Sequence, residues 1–287
     1  MAPTNIPPRM DPPVKVSVSM VTFNSSFDLL CRTLDGLNRA MSYAYREGLP
    51  FQLELLLVDN SADPHYRARV YAKVSTDAEL HHYRAEIWHP GENVGYGAAH
   101  NLALQRADSD FHLIINPDVE MAEDALYRAY QYLQQQPDVV MVSPRASDSH
   151  GQVQYLCKRY PSVLALILRG FAPKFIREWF RSYLYSYEIR DNCAEQGVAD
   201  VPLMSGCCMF ARTGALRTVA GFSDNFFMYF EDFDLSLRLH SVGRLVYLPS
   251  MQIVHHGGYS ARKGIKHISM FVTSGWKFFR LHGWCWI

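Results

Sequence analysis

Acidic and histidine residues near the carboxyl end of the chain have the spacing of a reaction centre. Glu231, Asp232 and Asp234 form an acidic cluster, and His255-His256 follow it within the segment 206–258. Because an aromatic-rich stretch precedes the acids, some of them are expected to lie in apolar surroundings, where carboxylates have shifted pKa values and can exchange protons with a substrate. The alternative is that the acids only begin a helix, near the positive end of its dipole. That alternative leaves the two histidines unexplained.

Three other polar groups follow apolar runs that predict β-strands. They are Thr22-Phe23-Asn24, Asp59-Asn60 and Asn116-Pro117-Asp118. The alternation of these runs with helical patterns predicts an α/β fold with a mostly parallel sheet. Open sheets of this kind bind ligands at the carboxyl ends of their strands, so we expect the three groups to converge. Asp59 could accept a hydrogen bond from a base or a ribose.

Asp118 is a candidate metal ligand, because Mg²⁺ and similar divalent cations prefer carboxylate oxygens. The alternative is a structural cap of the following helix. Glu123 and Asp124 are equally suited to capping.

A glycine-containing loop, Asn93-Val-Gly95-Tyr-Gly97, leads into a predicted helix that carries Asn101 in its first turn. It lacks the third glycine of a dinucleotide fingerprint, follows the third strand rather than the first, and has no acid correctly placed after it. An NAD-dependent oxidoreductase is therefore disfavoured. The loop is expected to let the backbone approach a ligand closely, with Asn101 as a polar contact.

Composition limits the partners and the cellular location. The 287 residues include 28 Lys and Arg and 28 Asp and Glu, so no overall field favours nucleic acid. The cysteines form no C-x-x-C pair, which favours a reducing cytosol over secretion. The proline-rich residues 1–13 predict a disordered leader rather than a signal peptide. No apolar run approaches the ~20 residues of a transmembrane helix.

The segment 155–187 is basic and amphipathic. Its basic residues are Lys158, Arg159, Arg169, Lys174, Arg177 and Arg181. Such a segment could lie on an anionic membrane surface or cover an acceptor groove; a helical insertion packed on the sheet is the alternative. A second basic and aromatic stretch, 262–286, predicts a closing helix.

Taken in order, five motifs resemble the inverting glycosyltransferases of family 2, which have the GT-A fold, and most of all their rhamnosyltransferase-like branch. The motifs are Val18-Ser-Met-Val-Thr22-Phe-Asn24, Leu57-Val-Asp59-Asn60-Ser61, Asn93-Val-Gly95-Tyr-Gly97-Ala-Ala-His-Asn101, Ile115-Asn-Pro-Asp118-Val and Phe230-Glu-Asp232-Phe-Asp-Leu-Ser-Leu-Arg238. The resemblance covers residues 14–262, with 155–187 as an insertion outside its pattern. Residues 263–287 would then form a C-terminal helical segment.

The resemblance implies that the strand ends and the glycine loop hold a nucleotide-sugar donor. Thr22 and Asn24 would contact the ribose or diphosphate, and Asp59 the base. Further expected contacts are Asn60, Asn93, Gly95, Gly97, Asn101, Asn116 and Arg262. Arg262 would act with Ser260 and Lys263 as a lid over the diphosphate, or else form only a basic surface turn.

The resemblance also implies a divalent metal, Mg²⁺ or Mn²⁺. The family's metal motif is usually D-x-D, and its first acid is here Asn116, so Asp118 is left as the main carboxylate ligand. The ion should then depend more on the donor diphosphate. His255 falls where related transferases supply a histidine ligand; His256 is the neighbouring alternative, and a structural role for His255 is also open.

Asp232 resembles the family's catalytic base, which takes a proton from the acceptor hydroxyl during a single inverting displacement. Glu231 would orient the acceptor or the base. The expected donor is dTDP-rhamnose and the expected acceptor is a polysaccharide or a lipid-linked glycan. A UDP- or GDP-linked sugar, or a non-catalytic sugar-binding protein, are the alternatives. The protein is expected in the cytoplasm, in peripheral contact with the inner face of the membrane.

Overall fold

The computed structural model describes residues 13–190, 199–257 and 265–287. The predicted leader, apart from Pro13, and the predicted lid residues Ser260, Arg262 and Lys263 lie outside the described residues. None of the described helices is long and apolar enough to cross a membrane.

The first half of the chain alternates strands and helices, and its four strands form a parallel sheet in the order β3-β2-β1-β4. All four carboxyl ends therefore lie at one edge. The elements are β1 (Val14–Thr22), α1 (Phe27–Arg46), β2 (Phe51–Asp59), α2 (Pro64–His81), β3 (Arg84–Trp88), α3 (Tyr96–Arg106) and β4 (Phe111–Ile115).

The second half continues the same sheet in the order β4-β11-β6-β12-β5. The strands of the second half are β5 (Val119–Met121), β6 (Val139–Ser147), β7 (Val153–Gln154), β8 (Cys157–Lys158), β9 (Ala199–Asp200), β10 (Leu203–Met204), β11 (Cys208–Arg212) and β12 (Arg244–His255). Strands β8 and β10 pair with each other in a separate two-stranded sheet. Strand β11 is antiparallel to both β4 and β6, and β5 is antiparallel to β12. The expected α/β class is confirmed, but the sheet is mixed beyond β4.

The remaining helices are α4 (Ala125–Gln135), α5 (Val163–Phe171), α6 (Lys174–Trp179), α7 (Arg181–Tyr187), α8 (Thr213–Thr218), α9 (Glu231–Leu239) and α10 (Ile265–His282). The predicted basic segment thus forms three short helices. Ser162 begins α5 by accepting a hydrogen bond from the Ala165 N–H at 2.9 Å, as an N-cap residue does. The predicted closing helix is α10.

The core explains the apolar runs of the sequence. Leu55, Leu56, Leu57 and Val58 of β2 are fully buried, because helices cover both faces of a parallel sheet. The largest cluster packs α1, α2 and α4 against one face, and α3 packs against the other. The sheet edge that carries the strand ends is therefore held rigidly.

A separate aromatic cluster joins α10 to the start of α9. Phe226, Phe230, Phe278 and Phe279 are buried together, and the Phe230 and Phe278 ring centroids are 5.3 Å apart. The C-terminal helix thus packs directly against the residue that precedes the acidic cluster.

Candidate active site

A cleft of about 480 Å³, here called the strand-end cleft, lies at the carboxyl edge of the sheet. The predicted residues that line it are Asn60, Asn93, Gly95, Asn116, Asp118, Glu231, Asp232 and His255. Asp118 and Asp232, which are far apart in sequence, therefore face one cavity.

The ends of β1 and β2 are joined by side chains. Thr22 and Asp59 are neighbours in register, and the Thr22 hydroxyl donates to Asp59 Oδ1 at 2.9 Å. The Ser61 N–H donates to the same oxygen at 3.0 Å. Asp59 Oδ2 is buried and has no hydrogen-bond partner among the described residues. A buried acceptor without a partner is unfavourable, so this oxygen suits a donor group of a ligand.

The two asparagines near these strand ends have different surroundings. Asn24 has a φ of 47°, and its backbone N–H donates to the Ser61 hydroxyl at 2.7 Å. Asn60 donates through Nδ2 to the Gly95 carbonyl at 3.1 Å, while its Oδ1 is buried without a described partner. Asn60 therefore connects β2 to the glycine loop and keeps one acceptor for another group.

The glycine loop is shaped by contact with the segment 222–227 of the protein. Gly95 has a φ of 91°, and a Cβ there would lie 2.4 Å from the Phe227 carbonyl oxygen. The Asn93 side chain accepts a hydrogen bond from the Gly95 N–H at 2.9 Å. A Cβ on Gly97 would lie 2.9 Å from Cβ of Phe222. Close approach is thus required at both glycines, as expected, but the approaching group is protein.

Asn101 also contacts the segment 222–227. Its Nδ2 donates to the Phe222 carbonyl at 2.8 Å, and its Oδ1 accepts from the Phe222 N–H at 2.8 Å. Five predicted donor contacts within the described residues are not among those that line the strand-end cleft: Thr22, Asn24, Asp59, Gly97 and Asn101. Their part in donor binding remains a prediction.

Tyr96 and Gly206 are site residues that the sequence reasoning missed. The Tyr96 hydroxyl donates to the Gly206 carbonyl at 2.6 Å and lies 3.0 Å from Asn116 Oδ1. It therefore connects the glycine loop, the end of β4 and the chain that leads to β11. The sequence signal was weak: a tyrosine between two glycines has no assigned chemistry until its distant partners are known.

Asp232 is fixed by two backbone donors. The Gly206 N–H donates to Oδ2 and the Phe233 N–H donates to Oδ1, both at 2.9 Å. Burial raises the pKa of Asp232 to about 6, while these hydrogen bonds act in the opposite direction. The carboxylate is therefore oriented, yet more basic than an ordinary aspartate.

Glu231 is more deeply buried than Asp232. Burial, followed by the nearby charge of Asp232, raises the pKa of Glu231 to about 8. Its Oε2 is buried and has no hydrogen-bond partner among the described residues. Burial thus raises the pKa of both acids, so the two carboxyl groups titrate as a coupled pair, with Glu231 favouring its neutral form more strongly than Asp232 does.

The turn before the acids is strained. Tyr229 and Phe230 have φ values of 69° and 66°, a region that bulky residues rarely occupy. Contacts with α10 hold this turn: the Ser274 hydroxyl donates to the Met228 carbonyl at 2.8 Å, and Phe230 packs against Phe271 with ring centroids 5.1 Å apart. Strain of this kind is typical of functional sites. It directs the first turn of α9 towards the cleft.

His255 has the geometry of an oriented metal ligand. Gln154 Nε2 donates to the His255 carbonyl at 3.0 Å, which turns Gln154 Oε1 towards His255 Nδ1 at 2.7 Å. Nδ1 therefore carries the proton, and Nε2 lies 3.7 Å from Asp118 Oδ1. Burial lowers the pKa of His255, against the raising effect of Asp118. A neutral imidazole held this way suits a divalent cation.

His256 points elsewhere. Its Nε2 lies 3.4 Å from Glu120 Oε2, and Glu120 also pairs with Arg39 at 2.7 Å. Its backbone N–H donates to the Asp118 carbonyl at 3.0 Å. Of the two histidines only His255 lines the strand-end cleft.

Asp118 and His255 do not form a complete cation site by themselves. Among the described residues, no three His, Cys, Asp or Glu side chains form a group that could hold a metal ion. The two side chains therefore fit Mg²⁺ or Mn²⁺ only if a ligand such as a diphosphate supplies further oxygens.

A second cavity of about 470 Å³, here called the insertion cavity, adjoins the acid pair. It shares Ser205, Tyr229, Glu231 and Asp232 with the strand-end cleft. Its other walls come largely from the basic segment 155–187 and include Lys158. Glu231 and Asp232 thus face two cavities.

This fold, with a carboxylate and a histidine beside a strand-end cleft and an oriented acid pair, defines a glycosyltransferase of the GT-A type. The chain belongs to glycosyltransferase family 2: the model described as Glycosyl transferase family 2 matches residues 17–218. The resemblance drawn from the motifs is confirmed. The match ends before Glu231, so the acid pair is assigned by geometry rather than by this match.

Among curated relatives, the chain is similar to two rhamnosyltransferases. One is the N-acetylglucosaminyl-diphospho-decaprenol L-rhamnosyltransferase of Mycobacterium tuberculosis, 28% identical over 68% of this chain and 67% of the relative. The other is the rhamnosyltransferase WbbL of Escherichia coli strain K12, 26% identical over 71% of this chain and 77% of the relative. The chain is thus rhamnosyltransferase-like.

Solved structures confirm the fold. A mannosyltransferase of Pyrobaculum calidifontis, solved with GDP-Man and Mn²⁺, has a TM-score of 0.61 and 20% identity, covering 97% of this chain and 68% of the other. GalNAc-T7, solved with UDP, GalNAc and Mn²⁺, has a TM-score of 0.61 and 13% identity, covering 84% of this chain. The match spans only 43% of the GalNAc-T7 chain.

Proposed function

We propose that this protein transfers rhamnose, with inversion, from dTDP-rhamnose to an N-acetylglucosamine unit of a lipid-linked glycan. The names of the two rhamnosyltransferase relatives support the sugar, and the name of the mycobacterial relative supports the acceptor. The observation that carries the reaction is that Asp118 and Asp232 line one cleft. A donor held there has its leaving group near one carboxylate and its anomeric carbon near the other.

The donor nucleotide occupies the ends of β1 and β2 in this proposal. Asp59 Oδ2 accepts a hydrogen bond from the base, and Asn60 Oδ1 from a second donor group, because both oxygens are buried without described partners. Thr22 acts by holding Asp59 in place. The remaining donor contacts proposed are Asn24, Asn93, Gly95, Gly97, Asn101, Asn116 and, outside the described residues, Arg262.

Asp118 and His255 would hold Mg²⁺ or Mn²⁺ together with the donor diphosphate. An ion bound there would screen the charge that develops on the leaving diphosphate. The oriented, neutral His255 supports this role, as does the presence of Mn²⁺ in the two structural neighbours. His256, paired with Glu120, has a structural role.

The chemical step is one displacement. Asp232 accepts the proton of the acceptor hydroxyl, the hydroxyl oxygen bonds to the anomeric carbon, and the bond to the nucleoside diphosphate breaks. The raised pKa of Asp232 makes it a stronger base, and the Gly206 and Phe233 N–H groups hold it in position. Protonated Glu231 donates a hydrogen bond to the acceptor and so orients it.

Peripheral contact with an anionic membrane is part of this proposal. Side chains on α5 and α6 are strongly exposed although apolar, with Trp179 at 87%. The others are Ile167, Phe171 and Phe175. Basic residues lie among them, so the surface combines apolar insertion with charge complementarity to acidic lipids. A lipid-linked acceptor would be reached from that surface.

A donor panel tests the function. Purified protein is incubated with dTDP-rhamnose, UDP-linked and GDP-linked sugars, with Mg²⁺ or Mn²⁺ and a short lipid-diphosphate-linked N-acetylglucosamine. We expect transfer from dTDP-rhamnose, loss of transfer with EDTA, and an inverted product linkage by NMR. Transfer only from a UDP- or GDP-linked sugar would refute the donor, and a retained configuration would refute the single displacement.

A further inference from the structure

The insertion cavity has a chemical character of its own. The acid pair forms one side, and aromatic rings from several elements form much of the rest. These rings are Tyr155, Tyr187, Tyr229, Phe230, Phe233 and Phe271. Lys158 and Arg169 add two cationic groups on the side contributed by the basic segment. A cavity with these walls suits a ligand that has both a sugar or hydrocarbon part and an anionic part.

Lys158 is buried in an unusual way. The residue is only 7% exposed, and its ammonium donates to the Tyr155 carbonyl. In the described part of the chain, the carboxylate oxygen paired with it is Glu188 Oε1, 3.9 Å away. Burial lowers its pKa to about 8, although Glu188 acts in the opposite direction. A buried ammonium is unfavourable without a close anion, so this site is better satisfied when an anion binds.

Around Glu188, the described residues carry an excess of positive charge. Glu188 is shared by three cations: Lys158, Arg169 at 3.5 Å, and Arg190 at 2.5 Å. One carboxylate neutralises one of these charges. Arg190 takes Glu188 Oε2 through two hydrogen bonds, whereas Lys158 and Arg169 reach Oε1 only at long distances. The two cations that line the insertion cavity are therefore the weakly paired ones.

We propose that the insertion cavity binds the acceptor through a phosphate or diphosphate group held by Lys158 and Arg169, with the acceptor sugar placed against Glu231 and Asp232. This inference rests on the proposed function, because it assigns the second substrate of the same reaction. It assigns the anionic group of the acceptor to Lys158 and Arg169. The family match over residues 17–218 gives no role to individual residues.

The arrangement is consistent with an inverting displacement. The nucleophile must attack the anomeric carbon on the side opposite to the departing leaving group. The donor occupies the strand-end cleft, and the acceptor would enter from the insertion cavity, with the acid pair facing both. Burial raises the pKa of Glu231, which favours its neutral form and so reduces repulsion of an anionic acceptor.

A binding experiment that needs no donor sugar tests this assignment. The full chain is saturated with dTDP and Mg²⁺ to block the strand-end cleft, and geranyl diphosphate is titrated by calorimetry. Geranyl monophosphate, inorganic diphosphate and geraniol are the comparison ligands. We expect geranyl diphosphate to bind and geraniol not to bind; the monophosphate shows whether one phosphate is enough, and inorganic diphosphate whether the anion alone is enough.

Amino-acid substitutions test whether Lys158 and Arg169 bind the geranyl diphosphate. Lys158→Met and Arg169→Gln should each weaken geranyl diphosphate binding about 10- to 100-fold, the usual worth of a hydrogen bond to a charged group. Lys158→Arg keeps the charge and should retain most of the affinity. Lys174→Gln, an exposed basic residue of α6 outside the insertion cavity, is the matched control. Melting temperatures identify any variant that fails to fold.

The outcomes separate the two proposals. Unchanged affinity in both Lys158→Met and Arg169→Gln, or no geranyl diphosphate binding to the native chain, overturns the acceptor assignment even if rhamnose is transferred. If the affinities change as expected but no nucleotide sugar is used, the proposed function fails and the anion site stands. In transfer assays, these variants should raise KM for a diphosphate-linked acceptor and leave KM for a neutral alkyl glycoside unchanged.

Discussion

The backbone N–H of Gly206 donates a 2.9 Å hydrogen bond to Oδ2 of Asp232. Gly206 precedes β11, and Asp232 lies in the first turn of α9, so this bond fixes the acid relative to the central sheet. A Cβ on Gly206 would lie 3.4 Å from Cβ of Asp232 and 3.2 Å from the Tyr96 ring. The same small residue thus brings the candidate base, the glycine loop and the sheet together.

Replacing the candidate base should remove catalysis and leave donor binding. Asp232→Asn keeps the side-chain shape but cannot accept the proton, so we expect turnover to fall by about 10²–10⁴-fold. The affinity for dTDP with Mg²⁺ should remain within about twofold, as measured by calorimetry. Asp224→Asn, at an exposed position near the strained turn, is the matched control. Full activity in Asp232→Asn would exclude Asp232 as the base.

The pH dependence of kcat/KM should be bell-shaped. Asp232 must be ionised, and burial raises its pKa to about 6, so the rate should decline as pH falls below that value. Glu231 must keep its proton, and burial together with the charge of Asp232 raises its pKa to about 8, so the rate should decline above it. Glu231→Gln should remove the alkaline decline and keep the acid one. An unchanged alkaline limb in that variant would show that another group causes it.

Metal dependence should separate the two neighbouring histidines. His255→Ala should weaken Mn²⁺ binding in the presence of dTDP, and Gln154→Leu should weaken it about 10- to 100-fold by losing the orientation of His255. His256→Ala is the control, because its ring pairs with Glu120 instead. Titration with Mn²⁺, followed by electron paramagnetic resonance, measures the Mn²⁺ affinity of each variant. Equal losses in the two histidine variants would contradict the assignment.

Gly95 is expected to be irreplaceable for a steric as well as a conformational reason. Gly95→Ala places a Cβ 2.4 Å from the Phe227 carbonyl at a φ of 91°, and we expect a loss of about 2–5 kcal/mol in the free energy of unfolding. Gly151→Ala is the control: its φ is 77°, but nothing lies within 4 Å, so only about 1–2 kcal/mol should be lost. Chemical denaturation measures both. Similar losses of unfolding free energy in the two variants would mean that the Phe227 backbone can move away from the added Cβ without destabilising the protein.

Membrane contact should depend on the apolar face of α5 and α6. In flotation with liposomes that contain an anionic lipid, the native chain should rise with the vesicles at low salt. Trp179→Ser combined with Phe175→Ser should stay at the bottom. Tyr71→Ser, which alters an exposed ring on α2, should behave like the native chain. Flotation of the double variant at the native level would assign this face to another partner.

The strand ends were predictable because apolar runs and the polar residues after them are local signals. The sequence placed Thr22, Asp59 and Asp118 correctly at the ends of parallel strands, and the structure brings them to one edge. The positions of β11 and β5 were not predictable, because antiparallel insertion into a parallel sheet depends on pairing between distant segments. The order of the strands in the second half is therefore known only from the structure.

Within the candidate site, single residues were easier to find than their partners. Asn101 was expected to contact a ligand. Instead, its side-chain nitrogen and oxygen both form hydrogen bonds with the backbone of Phe222, which is 121 positions away in the sequence. The left-handed pair Tyr229 and Phe230 has no sequence signal, because such conformations are imposed on bulky residues by surrounding contacts. Tertiary contacts made by α10 determine that turn.

The pairing of β4 with β11 joins two parts of the chain to which the proposed function gives different tasks. Thr22 and Asp59, the proposed nucleotide residues, precede β4, whereas Asp232, the proposed base, follows β11. A chimaera of two related enzymes that exchanges residues up to the end of β4 would inherit the nucleotide preference of one parent. The glycan preference would come from the other, which gives a direct route to new sugar linkages.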